Sequence, residues 1–413
     1  MKYGCVAERL GHSFSREIHA ALADYEYELC EIPREELDTF MTKHEFRAIN
    51  VTIPYKEAVI PYLDYMDENA KKIGAVNTIV NRDGKLYGYN TDFFGMCSLL
   101  EFANISLKNK KVLILGTGGT AKTAYAVAEA LGARVAVKVS RTAKEDAVSY
   151  EDAYALHADA EIILNTTPVG MYPNVHGCPI DIERFPALCG VMDAIFNPLR
   201  SELVTRAAAK GIPAVGGLYM LVAQAALACE KFIGEEIPAE KIRQVYRQIY
   251  LGKENIVLTG MPGCGKTTIG REVAQALGLP FFDTDDAILK RIGMSIPDYF
   301  AKYGEAAFRQ VEAEVIAEEM APVTSAVIAT GGGAVLRAEN VSNLKRNGRI
   351  FFLDRPLDQI RPTESRPLSS DREALEKRYQ ERYPIYSSTC DVHIDTSPVR
   401  TENVNKILEN VKP

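Results

Sequence analysis

Two stretches of the chain pass from an unbroken aliphatic run, through a glycine-rich turn, into an Ala-rich amphipathic segment. They are Lys111–Gly132 (KVLILGTGGTAKTAYAVAEALG) and Asn255–Gly278 (NIVLTGMPGCGKTTIGREVAQALG). Continuous apolar runs predict strands covered on both faces of a parallel sheet, and each following segment predicts a helix closed by Gly132 or Gly278. Between them the rhythm continues through RVAVKV, EIILNTTP, GVMDAIF and IPAVGG, which predicts a doubly wound sheet over residues 99–217. Residues 1–98 read as a separate α/β segment. The apolar stretch after residue 217 reads as a pair of helices. From 255 to 413 the pattern is again α/β. The join at Leu251–Glu254 is short, with one glycine, which predicts two halves that abut.

Bulk properties narrow the classes. A length of 413 residues suggests two or three domains at about 150 residues each. With 47% apolar and 25% charged residues the chain has the profile of a soluble globular protein. The net charge of -7 and the lack of a Lys/Arg block exclude nucleic acid as a bulk partner. No window approaches ~18 apolar residues, and the N-terminal MKYGCVAERL lacks a signal-peptide core, so no membrane partner and a cytoplasmic location are expected. Eight cysteines without a CxxC pair predict thiols that are for the most part buried, not a zinc site or a disulfide framework. Cys264 alone sits inside a candidate phosphate loop. The sequence leaves the oligomeric state open, a homodimer included.

The glycine turns carry the chemistry. In GTGGTA, Gly116 permits a tight turn, Gly118 lets backbone approach a pyrophosphate, and Gly119 and Ala121 allow close helix packing. The next strand ends in Ser140, Arg141 and Thr142, with Lys144 close by, where a site for NAD would place a carboxylate. Hydroxyls and cations there suit a 2′-phosphate, so the cofactor expected is NADP(H). GMPGCGKT fits G-x-x-x-x-G-K-[ST] in full directly after a strand. Gly260, Gly263 and Gly265 then cradle the phosphates of ATP, Lys266 reaches the β/γ oxygens, and Thr267 binds Mg²⁺, with Thr268 completing the loop.

The first half resembles shikimate dehydrogenase over nearly all of residues 1–250. The matching elements are GHSFSREIH, NVTIPYKE, GAVNT, GYNTD, NTTPVGM, DAIFNP and GLYMLVAQA, in family order. The resemblance implies an N-terminal α/β substrate domain, a Rossmann-type NADP domain, and reduction of the 3-keto group of 3-dehydroshikimate to shikimate. It implies Lys56 and Asp92 as the catalytic pair. Ser13 and Ser15 would grip the substrate carboxylate from one face of an extended segment. Thr52, Asn77 and Gln224 would serve the ring hydroxyls. The chain departs from the family pattern at Arg16, where proline is usual, at Phe196, where many members have tyrosine, and at Ser140, where Asn is usual. The first two are expected near the substrate.

The second half resembles shikimate kinase over residues 255–396, through FFDTDDAI, YGEAAFRQVE, ATGGGAVL, SRPL and ERYPIYSSTCDVHIDT. This implies a P-loop NTPase-type parallel α/β domain that phosphorylates shikimate to shikimate 3-phosphate. By that likeness Asp283 sits near Mg²⁺, and Asp285 bonds the acceptor hydroxyls and helps activate the attacking one. Arg309 and Arg382 hold the acceptor carboxylate, and Gly331, Gly332 and Gly333 let backbone approach the acceptor. Arg366, on a lid, would stabilise charge during transfer. Leu289 stands where Glu is frequent, and the Arg361–Arg366 stretch is short. Three rivals are an enzyme of other preference (an NAD-linked quinate/shikimate dehydrogenase, or a kinase of another small polyol acid), a regulatory protein that binds both nucleotides without turnover, and a nucleic-acid-handling ATPase. The presence of Lys56, Asp92, Lys266, Asp285 and Arg309 argues against the second, and the acidic charge against the third.

Overall fold

Among the described residues, seventeen strands gather into three sheets, and in two of these a strand runs into one of the glycine turns picked out above. The computed structural model describes residues 2–10, 13–142, 146–360 and 372–411. Its chain divides into two compact units, Met1–Ile249 and Tyr250–Pro413.

The first unit holds two six-stranded sheets. One is built from β1 (Tyr3–Ala7), β2 (Glu28–Glu31), β3 (Ala48–Val51), β4 (Tyr65–Met66), β5 (Thr78–Arg82) and β6 (Lys85–Tyr89), in the order β2-β1-β3-β5-β6-β4. The β2-β1-β3 part is parallel, and β5 runs antiparallel to both β3 and β6. The other comprises β7 (Lys111–Leu115), β8 (Val135–Ser140), β9 (Val148–Ser149), β10 (Ile162–Asn165), β11 (Gly190–Asp193) and β12 (Ala214–Val215). Its order, β12-β11-β10-β7-β8-β9, is parallel throughout, which is the 3-2-1-4-5-6 arrangement of a doubly wound nucleotide fold. Four of the five β7 residues are wholly buried, as their unbroken aliphatic run predicts.

Helix packing in this unit turns on Gly95. The Thr91–Phe102 helix lies against the Leu218–Ile233 helix so closely that a Cβ at Gly95 would stand 2.7 Å from the Met220 carbonyl. That approach sets the start of the first helix, with Thr91 and Asp92, beside Gln224. The Ala239–Lys253 helix runs through Gly252, so the short join at Leu251–Glu254 is helical as far as Lys253. Gly252 meets nothing within 4 Å of where a Cβ would stand; the neighbouring residues carry the helix through it.

The second unit has one parallel sheet of β13 (Asn255–Thr259), β14 (Phe281–Asp283), β15 (Val327–Ala329), β16 (Gly348–Asp354) and β17 (Val392–Asp395). Its order is β14-β15-β13-β16-β17, with the glycine turn after the central strand β13. Ligands of such sheets bind beyond the carboxyl ends of the strands. All eight cysteines are free thiols, and Cys264 is wholly buried. Among the described residues no helix is long and apolar enough to cross a membrane.

Candidate active sites

In the first unit, two cavities meet at one lysine. A cavity of about 530 Å³ is lined by Ser13, Ser15, Thr52, Asn77, Asp92 and Gln224, all expected from sequence. A second, of about 560 Å³, is lined by Gly116, Gly118, Gly119, Ser140 and Arg141. Ile53, Pro54, Lys56 and Thr120 belong to both walls. Lys56 Nζ donates to Asp92 Oδ2 at 2.6 Å, with side chains only 15% and 11% exposed.

The polar groups of the first cavity are fixed by a closed hydrogen-bond network. Thr91 N donates to Asn77 Oδ1 at 2.7 Å, and Asn77 Nδ2 donates to Thr91 Oγ1 at 3.0 Å. Thr91 Oγ1 donates to Gln224 Oε1 at 3.2 Å, while Gln224 Nε2 donates to the Leu221 carbonyl. Asn50 accepts from Tyr27 Oη at 2.7 Å and donates to Thr78 Oγ1. A buried amide with every partner in place is held in one orientation. Thr91 and Asn50 were not selected from the sequence, although Thr91 adjoins Asp92 in the GYNTD segment.

The expected extended Ser13–Ser15 segment is corrected. Phe14 has helical backbone angles (φ -84°, ψ -2°) and Ser15 opens the Ser15–Leu22 helix, yet both serines still line the cavity. Ser15 N donates to Ser13 Oγ at 3.3 Å. Arg16 is exposed and outside the cavity wall, contrary to the expectation that it lies near the substrate. Phe196 is on the wall and packs edge-on against Phe14 at 5.2 Å.

At the glycine turn, Gly116 has φ 113°, and a Cβ there would meet Thr166 Oγ1 at 2.8 Å. Gly118 caps the Gly119–Ala130 helix and has open space where a Cβ would be. Ala121 is wholly buried behind the turn. Thr142 is not brought to the cavity wall: it is exposed, and its carbonyl accepts from Ser140 Oγ. Lys144 lies outside the described residues. Thr120, Thr166 and Thr167 complete the wall and were missed, although NTTP was noted as a motif.

The second unit has a cavity of about 730 Å³, lined by Gly263, Gly265, Lys266, Thr267, Thr268, Asp283 and Asp285 at one end. Arg309, Arg382, Gly331, Gly332 and Gly333 line the other. Lys266 Nζ donates to the carbonyls of Gly260 and Met261 at 2.9 and 3.0 Å. Gly260 is behind the wall, and its φ of 138° and closeness to the Leu353 carbonyl admit no side chain. Thr267 Oγ1 donates to Asp283 Oδ2 at 2.7 Å, while Asp283 Oδ1 caps the Thr284–Ile292 helix through Asp285 N. Asp283 is therefore both the N-cap and a cavity group.

The three consecutive glycines make room chiefly for protein side chains. A Cβ on Gly331 would stand 2.9 Å from Asp285 Oδ1, on Gly332 2.8 Å from Pro262, and on Gly333 2.3 Å from Arg309 Nη1. Arg309 Nη1 donates to Glu312 Oε2 at 2.7 Å and Nη2 to Glu305 Oε1 at 3.1 Å. Arg382 Nη1 donates to the Gly332 carbonyl at 3.0 Å. Burial pushes the Glu312 carboxyl above its ordinary range, and Arg309 beside it acts in the opposite direction. Glu312 and Arg378 line the cavity and were missed; each was legible as a neighbour, three or four positions from a chosen arginine on a helix. Arg366 and the Arg361–Arg366 stretch lie outside the described residues.

A glycine-turn nucleotide cavity joined at a lysine–carboxylate pair to a polar pocket defines an oxidoreductase, and the P-loop cavity of the second unit defines a phosphotransferase. The comparisons agree. Residues 5–79 match the shikimate dehydrogenase substrate binding domain, and residues 262–412 match shikimate kinase. The shikimate dehydrogenase (NADP(+)) of Clostridium perfringens strain SM101 is 33% identical over 265 residues, covering 60% of this chain and 97% of its own. Shikimate dehydrogenase 1 from Peptoclostridium difficile matches at 35% identity with a TM-score of 0.56, over 60% of this chain and 98% of that one. A chorismate mutase/shikimate 5-dehydrogenase fusion protein from Clostridium acetobutylicum matches at 32% identity with a TM-score of 0.57, over 60% and 96%. The chain belongs to the shikimate dehydrogenase family and carries a shikimate kinase domain after it, so that it is a bifunctional enzyme of the shikimate pathway.

Proposed function

We propose that the first unit reduces 3-dehydroshikimate at the junction of its two cavities, and that the second phosphorylates the shikimate so formed. The observation that carries the first half is Lys56, which lines both cavities and is held by Asp92. NADPH, when bound, supplies the hydride. The glycine turn fits it: Gly118 leaves open space at a helix N-terminus, and Arg141 and Ser140, on the same cavity wall, would hold its 2′-phosphate. Lys56 Nζ donates a proton to the developing alkoxide, and the Asp92 carboxylate holds the Lys56 side chain in place at 2.6 Å. Asn77, Thr52 and Gln224 orient the ring hydroxyls, and Ser13 and Ser15 receive the carboxylate. We assign residues 1–98 with 218–250 to the substrate domain, 99–217 to the NADP domain and 255–413 to the kinase. The three sheets, at 3–89, 111–215 and 255–395, support those bounds.

In the kinase, Lys266 and the backbone of 262–268 hold the phosphates of ATP. Thr267 and Asp283 present two oxygens 2.7 Å apart, a hard donor pair suited to Mg²⁺, which would offset the phosphate charge. Asp285 accepts the proton of the attacking hydroxyl, and Arg309 and Arg382 hold the acceptor. Arg366 is assigned to the phosphates on the family pattern. Eight free thiols support a reducing, cytoplasmic setting. The test is one incubation of the whole chain with 3-dehydroshikimate, NADPH, ATP and Mg²⁺, read by mass spectrometry. Shikimate 3-phosphate is expected, with NADPH and ATP consumed in step. Shikimate alone would remove the kinase half of the reading, and neither product would remove both.

A further inference from the structure

We propose that Arg378 is a third acceptor-binding arginine of the kinase, forming with Arg382 a two-guanidinium clamp for the acceptor's carboxylate. The proposal rests on the reading of this cavity as a shikimate kinase site. Arg378 and Arg382 are four residues apart on the Arg372–Thr389 helix, so they share one face, and both line the cavity. Like charges at that spacing repel, and burial together with Arg382 pushes the Arg378 guanidinium below its ordinary pKa. An anion lying between the two converts that repulsion into a pair of charge-assisted hydrogen bonds.

The test is calorimetric binding of shikimate and of its methyl ester to the whole chain, with ATP kinetics measured alongside. Arg378→Gln is expected to weaken shikimate binding about 10-fold, the scale of one charge-assisted hydrogen bond, and to leave ester binding and the KM for ATP unchanged. Arg378→Lys is expected to recover part of the loss, since it restores the charge without the fork. Equal weakening of acid and ester, or no weakening of either, would overturn the role of Arg378. Wild-type turnover is recorded separately: failure to phosphorylate shikimate would sink the kinase reading, whereas the acid-against-ester comparison judges Arg378 by itself.

Discussion

Lys56 and Asp92 are 36 positions apart in sequence and 2.6 Å apart in space. Replacing Lys56 by Ala removes the group proposed as proton donor without disturbing the glycine turn. Reduction of 3-dehydroshikimate should fall about 10³-fold, with shikimate phosphorylation unchanged in the same preparation. Lys266→Ala should do the reverse, and coupled assays of both reactions would show it. Gly333→Ala makes a subtler change. Its Cβ meets the far end of the Arg309 side chain, which Glu305 and Glu312 pin in place, so the guanidinium moves before the backbone does. The acceptor KM should rise about 10-fold with little change in thermal stability. These residues were legible because each sits in a short contiguous motif with a fixed chemical need. Thr91 was not selected, since its role depends on the Gln224 side chain that a distant helix brings alongside, whereas Glu312 and Arg378 were within reach as helix neighbours of Arg309 and Arg382.

At the scale of the element, strands and glycine turns could be read directly from the chain. Unbroken runs such as KVLIL and NIVLT became wholly or mostly buried central strands. The closeness of the Thr91–Phe102 and Leu218–Ile233 helices could not be read, because nothing local distinguishes Gly95 from a glycine that tolerates a side chain. Gly95→Ala places a methyl 2.7 Å from a backbone oxygen in a helix that cannot yield cheaply. It should cost about 2 kcal/mol, seen as a lower midpoint in thermal unfolding, and should raise the KM for dehydroshikimate as Gln224 shifts. Likewise the Ser13–Ser15 segment reads as extended, but Phe14 already has helical angles ahead of the helix that Ser15 opens.

At the scale of the whole molecule, two buried groups of the first unit contribute to the acid response with opposite signs. His19 is stacked on Tyr27 and bonded to Tyr25 Oη, and burial lowers its pKa to about 3. The unfolded chain binds that proton first, so this contribution is complete above about pH 6.5 and is lost as the pH falls towards 3. Asp193 accepts from Asn165, Ile195 N and Ser201, and burial raises its pKa to about 6. Here the folded state binds the proton first, so stability falls as pH rises from about 4 to about 6. The two slopes oppose each other across that interval. Asp193→Asn removes one of them, and chemical denaturation between pH 6 and pH 4 should then show a steeper acid loss than in the wild type. An unchanged slope would mean that Asp193 does not titrate in this range.

The wall shared at Lys56 also exposes the dehydrogenase to one particular kind of molecule. A cyclohexene carboxylate tethered to a nicotinamide-like ring would reach across Ile53, Pro54 and Thr120 and occupy both chambers at once. Once either end is seated, the other is presented at an effective concentration of roughly millimolar, so two weak fragments add up to a tight inhibitor. Enzymes whose chambers are separated by a closed partition offer no such bridge.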